Sequence, residues 1–108
     1  MTKPTVVPMI KGASAPVISS VYANNSKSLC TMQITGSYST AVLKVQGQVD
    51  TGSGEWADIA VFNLSNLDLK PNTQGNGIYQ LAMEGILRIR FNVTDVSGGS
   101  LTAVANFM

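Results

Sequence analysis

The stretch that decides the fold lies at residues 76–107. It reads NGIYQLAMEG (76–85), ILRIRFNV (86–93), TDV (94–96), SGGS (97–100) and LTAVANF (101–107). From position 87 apolar and polar side chains alternate, which is typical of a half-buried strand. One face of this strand is expected to carry Leu87, Ile89, Phe91 and Val93, and the other Arg88, Arg90 and Asn92. The last segment alternates too, and the Gly-Gly turn before it predicts an antiparallel hairpin.

Length and composition are those of one small β domain. The chain has 108 residues, which is the size of a single domain. Charged residues make up 12%, about half the usual share, and Ser, Thr, Asn, Gln and Gly take their place. Such a composition is typical of the neutral, polar surfaces of secreted and virion β-proteins. The net charge of +1 gives no general attraction to nucleic acid or to a membrane.

The residue types that carry most enzyme chemistry are scarce. The chain has no histidine, the commonest general base and metal ligand. The single cysteine, Cys30, excludes an intramolecular disulfide and is interpreted as a buried small apolar residue. Asp50 and Glu55 lack the regular spacing of a calcium loop, and the carboxylates in general are interpreted as solvated. We therefore expect no catalytic residues, no metal, no cofactor and no enzyme activity.

Residues 1–16 are predicted to form an extended N-terminal arm, separate from a sandwich domain at residues 17–108. Three prolines disfavour a helix there: Pro4, Pro8 and Pro16. The arm is too apolar for a free tail, so we expect it to dock onto another subunit or back onto its own sheet. The partner-binding residues predicted on it are Val6, Val7, Met9 and Ile10. No signal peptide is predicted, and synthesis is expected in the host cytoplasm.

Six or seven short strands separated by turn residues predict a single antiparallel β-sandwich of jelly-roll or immunoglobulin-like type. They are expected at 17–22, 29–34, 41–49, 56–62, 78 onward, 87–93 and 101–107. A glycine-rich loop at residues 50–54 predicts a hairpin between two of them. Gly47 and Val49 are expected to share the inner face of the third strand. The residues predicted to be mostly buried are Leu43, Val45, Ile59, Leu81, Leu87, Ile89, Phe91, Leu101 and Ala103.

This order of strands and turns resembles a β-sandwich module of tailed-bacteriophage virion proteins. Those modules carry the pattern G-x-[FY]-x-[VL]-x-x-x-G-x-x-x-[VI]-R-[VI], whose first thirteen positions Gly77 to Ile89 match. They also carry G-S-x-D-G-x-x-W at the first hairpin, which residues 50–56 match with an insertion before Trp56. The resemblance covers roughly residues 30–107 and rests on turns and core positions. It implies a non-enzymatic virion structural protein.

Two sets of surface residues are candidates for binding. Arg88, Arg90 and Asn92 are predicted to form a polar contact face for an acidic partner strip or an anionic glycan. The alternative is pairing with Glu84, Asp95 or a neighbouring strand. Trp56 and Tyr79 are the candidates for a glycan platform, because aromatic faces stack on sugar rings. For Trp56 the alternative is a cap on the sandwich core.

The function predicted from these observations is a capsid decoration (cement) protein on the outside of a phage head. Its partners would be the major capsid protein or other virion subunits, and it would form a homo-oligomer located in the virion. The alternative within virion proteins is a tail, baseplate or fibre component that binds host glycans. A free carbohydrate-binding module is the competitor from another class.

Overall fold

The protein folds as a β-sandwich of two antiparallel sheets. The computed structural model describes residues 4–24, 26–50, 52, 54–73 and 75–108. Sheet A contains, in spatial order, β1 (Thr5–Ala13), β11 (Ser100–Phe107), β4 (Leu29–Ser37), β9 (Gly77–Ala82), β7 (Val61–Asn63) and β8 (Leu69–Lys70). Sheet B contains β2 (Val17–Ile18), β10 (Arg88–Ser97), β5 (Thr40–Gln48) and β6 (Ala57–Ile59), with β3 (Tyr22–Ala23) also paired to β10. The predicted all-β fold class is confirmed.

The predicted hairpin between the two last strands is wrong, although both strands exist. β10 pairs with β5 in sheet B, whereas β11 pairs with β1 and β4 in sheet A. The turn at Gly98 and Gly99 carries the chain from one sheet to the other. A Cβ on Gly99 would collide with the carbonyl oxygen of Ser37, at the point where the chain passes from β4 in sheet A to β5 in sheet B. The glycines therefore allow the connection from β10 to β11 to lie close to the connection from β4 to β5.

The alternation in β10 places its side chains as predicted. Three apolar residues are fully buried between the sheets, and the polar residues between them lie outside: Ile89, Phe91 and Val93 inside, Arg88, Arg90 and Asn92 outside. A bulge between Val93 and Asp95 then shifts the alternation by one position. Because of this shift Val96 is also buried, and the strand continues four residues beyond Val93, to Ser97.

Leu87 and Val49 depart from the prediction because each lies just beyond the end of a strand. Leu87 is 46% exposed, and its N–H donates to the carbonyl of Gln48 (2.8 Å) where a tight turn ends. Within that turn the N–H of Ile86 donates to the carbonyl of Met83 (2.9 Å), and Ile86 packs against the core in place of Leu87. Val49 is 71% exposed because β5 ends at Gln48. The prediction that Leu87 and Val49 face the core is wrong.

The strand predicted at 56–62 is two strands in different sheets. β6 pairs with β5 in sheet B, which confirms the hairpin predicted around the loop at 50–54, although Thr51 and Ser53 lie outside the described residues. β7 pairs with β9 in sheet A. The chain crosses between the sheets at the exposed Ala60. A strand that changes sheets is a corner of the sandwich, and alternation alone does not reveal it.

The separate arm predicted at residues 1–16 is wrong for the part that the structure describes. Residues 5–13 form β1, which lies along β11 at the edge of sheet A. Met9 is 9% and Ile10 3% exposed, and both belong to the core. Ile10 lies opposite Ala103, whose small side chain leaves room for it. The N-terminal segment therefore docks onto the protein's own sheet, which is the second of the two possibilities predicted for it.

The core lies between the two sheets and contains most of the residues predicted for it. Ile59 is partly buried and packs against this core. The buried apolar residues are Met9, Ile10, Cys30, Met32, Ile34, Leu43, Val45, Val61, Tyr79, Leu81, Met83, Ile89, Phe91, Val93, Val96, Leu101, Ala103, Ala105 and Phe107. Two faces remain in contact with water, one on each sheet, and they carry the candidate sites.

Candidate functional site

The outer face of sheet B gathers the polar residues predicted as a contact face. We call it the polar face; its members are Lys44, Gln46, Trp56, Asp58, Arg88, Arg90 and Asn92. Arg90 lies opposite Gln46 on β5, and Gln46 lies opposite Asp58 on β6. Cross-strand neighbours of this kind have Cβ atoms about 5 Å apart, so their side chains meet. Arg88 is exposed, and Arg90 and Asn92 are half-buried.

Hydrogen bonds join the centre of the polar face into one network. Arg90 donates from Nε to Oε1 of Gln46 (2.8 Å), and Gln46 donates from Nε2 to Oδ1 of Asp58 (2.9 Å). Lys44 closes the network through an ion pair with Asp58, 3.4 Å from Nζ to Oδ2. Asn92 donates to Gln46 at the longer distance of 3.5 Å. The neighbouring strand, and neither Glu84 nor Asp95, therefore provides the hydrogen-bond partner of Arg90 in the described part of the chain.

The same contacts keep Asp58 ionised. The hydrogen bond from Gln46 lowers the pKa of the Asp58 carboxyl, and the hydrogen bond and charge of Lys44 lower it further. Partial desolvation acts in the opposite direction and is outweighed. Asp58 is therefore a negative anchor that orients Gln46, and Gln46 in turn orients Arg90.

Trp56 lies on the polar face and does not cap the core. The guanidinium carbon of Arg90 is 4.4 Å from the centroid of its ring, which is the geometry of a cation–π contact. Trp56 is half-buried and precedes β6, so its ring lies beside the sheet and not between the sheets. Arg90 is thus held on two sides, by the ring of Trp56 and by the amide of Gln46.

The predicted glycan platform of Trp56 and Tyr79 does not exist. Tyr79 belongs to β9 in sheet A, its side chain is 1% exposed, and it is part of the core. Its hydroxyl donates to the carbonyl of Gly75 (2.8 Å). Tyr79 is buried in sheet A, whereas Trp56 lies against sheet B and is partly exposed.

The outer face of sheet A contains few charges. We call it the uncharged face and define it by two rows of cross-strand neighbours. The first row contains Val6, Asn106, Thr31, Gln80, Phe62 and Leu69. The second contains Pro8, Val104, Gln33 and Ile78. Neither row includes an Asp, Glu, Lys or Arg; Lys11 and Lys70 lie at its rims.

The centre of the uncharged face is a shallow depression of about 190 Å³ lined by side chains of both rows. Gln80 donates from Nε2 to Oγ1 of Thr31 (3.1 Å) beside it. Asn106 has an Oδ1 that is shielded from solvent and accepts no hydrogen bond from the described residues. Ile78 is 42% exposed at the other side of the depression. This face was not predicted from the sequence, although Thr31, Gln33, Val104 and Asn106 occupy alternate positions along their strands.

The four residues predicted as partner anchors on the arm are separated by the fold. Met9 and Ile10 are buried and contact the protein's own core. Val7 is half-buried and packs against that core as well. Val6 is 62% exposed and lies opposite Asn106 on the uncharged face. Of the four, Val6 is the one available to a partner without unfolding β1.

The described residues offer little catalytic chemistry. Burial raises the pKa of the Cys30 thiol to about 12, so it stays protonated and a poor nucleophile. No three His, Cys, Asp or Glu side chains lie together as a metal site requires within the ranges that the structure describes. In those ranges there is also no helix long and apolar enough to cross a membrane.

Comparisons with known proteins give one family and two similar structures. The crystal structure of SPBc2 prophage-derived protein YomS matches with a TM-score of 0.84 and 19% identity, over 100% of this chain and 97% of that one. The crystal structure of PBSX exported protein XepA matches with a TM-score of 0.89 and 14% identity, over 97% of this chain but 37% of that one. No curated protein matches by sequence. The model of the XepA family matches residues 3–105, and the chain therefore belongs to the XepA family.

Proposed function

We propose that this protein is a phage structural protein that decorates the capsid and attaches through the uncharged face of sheet A. Of the two similar structures, YomS is described as prophage-derived, which supports a phage origin, and XepA is described as a PBSX exported protein. The resemblance of the strand and turn pattern to virion modules points the same way. The protein would act by binding, without catalysis, and its partners would be major capsid protein or other virion subunits.

The observation that carries this proposal is the absence of charge from the two rows across sheet A. Covering a charged side chain costs several kcal/mol unless it is paired, whereas covering Val and Ile is favourable and Thr and Gln need only a hydrogen-bond partner. A surface that stays in water has no need to avoid charge. A surface that is permanently covered in a lattice benefits from avoiding it, and the opposite face of the same domain is charged.

The size of the uncharged face limits how one copy can bind. Six strands spaced about 4.8 Å apart span about 24 Å, and two rows of alternate residues cover about 13 Å along the strands. The product is roughly 300 Å², below the ~800 Å² per partner of a standard stable interface. One copy would therefore bind weakly. A homo-oligomer that engages several shell subunits at once would gain affinity from effective concentration, which fits a decoration protein.

The test is to strip the protein from purified particles and to compare the temperature of genome release with and without it. A cement protein adds contacts that exist only in the assembled shell, so decorated particles should open at a higher temperature. The difference should persist in 1 M salt, where the screening length is about 3 Å, because the contact contains few charges. Equal release temperatures would exclude the cement function.

The mass of intact particles separates the locations. Hundreds of copies indicate the head, and a few or tens indicate the tail, baseplate or fibre. If the protein is absent from particles, the virion proposal fails. The protein would then act outside the particle, as the description of XepA as exported suggests for that protein. Specific retention on a glycan array would favour the glycan-binding alternative. Of the two residues predicted for a glycan platform, Trp56 alone supports this alternative, because Tyr79 is buried.

A further inference from the structure

The polar face of sheet B contains two arginines whose charge is not neutralised by any residue that the structure describes. The ion pair on this face joins Lys44 to Asp58, and among the described residues neither Arg88 nor Arg90 lies within ion-pair distance of a carboxylate. Arg88 is exposed and Arg90 is half-buried. An arginine that is half-buried, oriented by neighbours and yet not neutralised is an available anion-binding group.

Arg90 is held in a fixed orientation. Its Nε donates to Gln46 at 2.8 Å, and its guanidinium lies 4.4 Å from the ring centroid of Trp56. Its two terminal Nη groups make no hydrogen bond to any residue that the structure describes. Their N–H donors form a planar fork that matches a carboxylate. Because the orientation is set by contacts within the protein, little side-chain entropy is lost when a ligand binds.

The spacing of the two arginines defines the ligand. Arg88 and Arg90 are alternate residues of β10, so they project from one face of the sheet about 6.6 Å apart. A second extended chain has the same repeat. Carboxylates at alternate positions of an extended peptide therefore repeat at the same interval as the two backbone positions that carry Arg88 and Arg90, whereas carboxylates at adjacent positions point to opposite sides.

The other carboxylates near this face do not satisfy the arginines. Asp58 is engaged by Gln46 and Lys44. Asp95 lies beyond the bulge of β10, five residues from Arg90, or about 16 Å along the strand. Asp50 and Glu55 lie at the loop end of the sheet and already have contacts of their own. The charge left over is positive and lies at Arg88 and Arg90.

We infer that the polar face binds an extended acidic segment of a partner protein, with carboxylates at alternate positions seated on Arg88 and Arg90. The repeat of the arginines along a strand favours a peptide over an acidic polysaccharide, whose sugar units do not follow this spacing. The site is separate from the uncharged face, so either surface can fail its test while the other passes.

The experiment titrates the protein with blocked pentapeptides at low ionic strength, using the fluorescence of its single tryptophan, Trp56, as the probe. The ligand peptide is acetyl-Thr-Glu-Val-Glu-Thr-amide. Its isomer acetyl-Thr-Glu-Glu-Val-Thr-amide has the same composition with adjacent carboxylates. We expect saturable binding of the first peptide, at least tenfold weaker binding of the second, and loss of binding as salt is raised to 1 M. Equal affinity for both peptides would overturn the spacing argument.

Variants separate the two arginines from general charge. R90K keeps the charge but removes the planar fork of N–H donors, and R88Q removes one of the two carboxylate-binding groups. Each variant should bind the first peptide at least tenfold more weakly. K70Q removes one charge from sheet A and serves as the matched control with unchanged binding. Thermal unfolding by circular dichroism shows that the variants are folded. Equal losses in K70Q, no binding of the first peptide, or binding of polygalacturonate in its place would each overturn the proposal.

Discussion

The two outer faces of the sandwich share a backbone geometry but differ in how their side chains are held. On the polar face hydrogen bonds join Arg90 to Gln46 and Gln46 to Asp58. Arg90 also lies over the ring of Trp56. On the uncharged face Gln80 donates a hydrogen bond to Thr31, and the side-chain oxygen of Asn106 has no hydrogen-bond partner in the described part of the chain. The inner side of each sheet is fixed by the core, so the outer side is where one domain can carry two different binding surfaces.

The difference has a physical consequence for what each face can bind. Charges that are held in place attract an opposite charge, and salt weakens the attraction. A flat, neutral surface binds through area and shape, with little dependence on salt. A lattice contact and a contact with an acidic segment therefore respond in opposite ways to salt and to added charge, which makes the two faces separable by experiment.

The largest effect is expected from deleting residues 1–13, which removes β1 and with it the edge of the uncharged face. The deletion removes the buried side chains of Met9 and Ile10, each worth about 1.5–3 kcal/mol. A loss of about 3–6 kcal/mol is a large part of the 5–15 kcal/mol that stabilise a typical domain. Urea unfolding should show this loss, and Cys30 should become accessible to a thiol reagent because it is buried in the same core.

The matched control for the deletion is V6S in the full chain. Val6 is exposed on β1, so the variant should unfold within about 0.5 kcal/mol of the wild type. It should nevertheless bind particles more weakly, since Val6 lies on the uncharged face. A truncated chain with an unchanged urea midpoint would show that β1 is an accessory arm after all.

A smaller effect is expected from placing a charge on the uncharged face. Gln33 is exposed near its centre, opposite Val104 and Ile78, so Q33K should fold normally. Covering the new charge in a lattice contact should cost about 2 kcal/mol, or roughly thirtyfold in particle affinity. T94K, which adds the same charge at an exposed position of β10 in sheet B, is the control and should bind normally. Equal binding by Q33K and the wild type would remove the uncharged face as the site of attachment.

The sequence predicted most of the long strands but not how most of them pair. Alternation in β10 reports which side chains face the core, because burial imposes a period of two on every strand. It carries no information on the neighbouring strand, so β10 and β11 were assigned to one hairpin although they lie in different sheets. Pairing depends on contacts between distant residues, and the crossing at Gly98 and Gly99 has the composition of a hairpin turn.

The same limit explains what was found and missed of the candidate sites. Arg88, Arg90 and Asn92 lie on one strand, so their common face follows from the sequence. The contact of Arg90 with Trp56 joins residues 34 positions apart, and it depends on the order of β10, β5 and β6 in sheet B. The uncharged face needs the order of all six strands of sheet A. Local patterns cannot supply that order.

The smallest effect tests whether the polar face is held together as the structure indicates. W56L and R90Q each remove one partner of the cation–π contact, and the double variant completes a cycle. We expect a coupling free energy of about 0.5–1 kcal/mol in urea unfolding followed by circular dichroism.

W56L combined with R88Q is the matched cycle, and its coupling free energy should be near zero because Arg88 has no contact with Trp56 in the described residues. Equal coupling in the two cycles would mean that charge near the ring, and not stacking, positions Arg90. The acidic-segment site would then lose its pre-oriented fork, and the contrast between the two faces would reduce to their net charge.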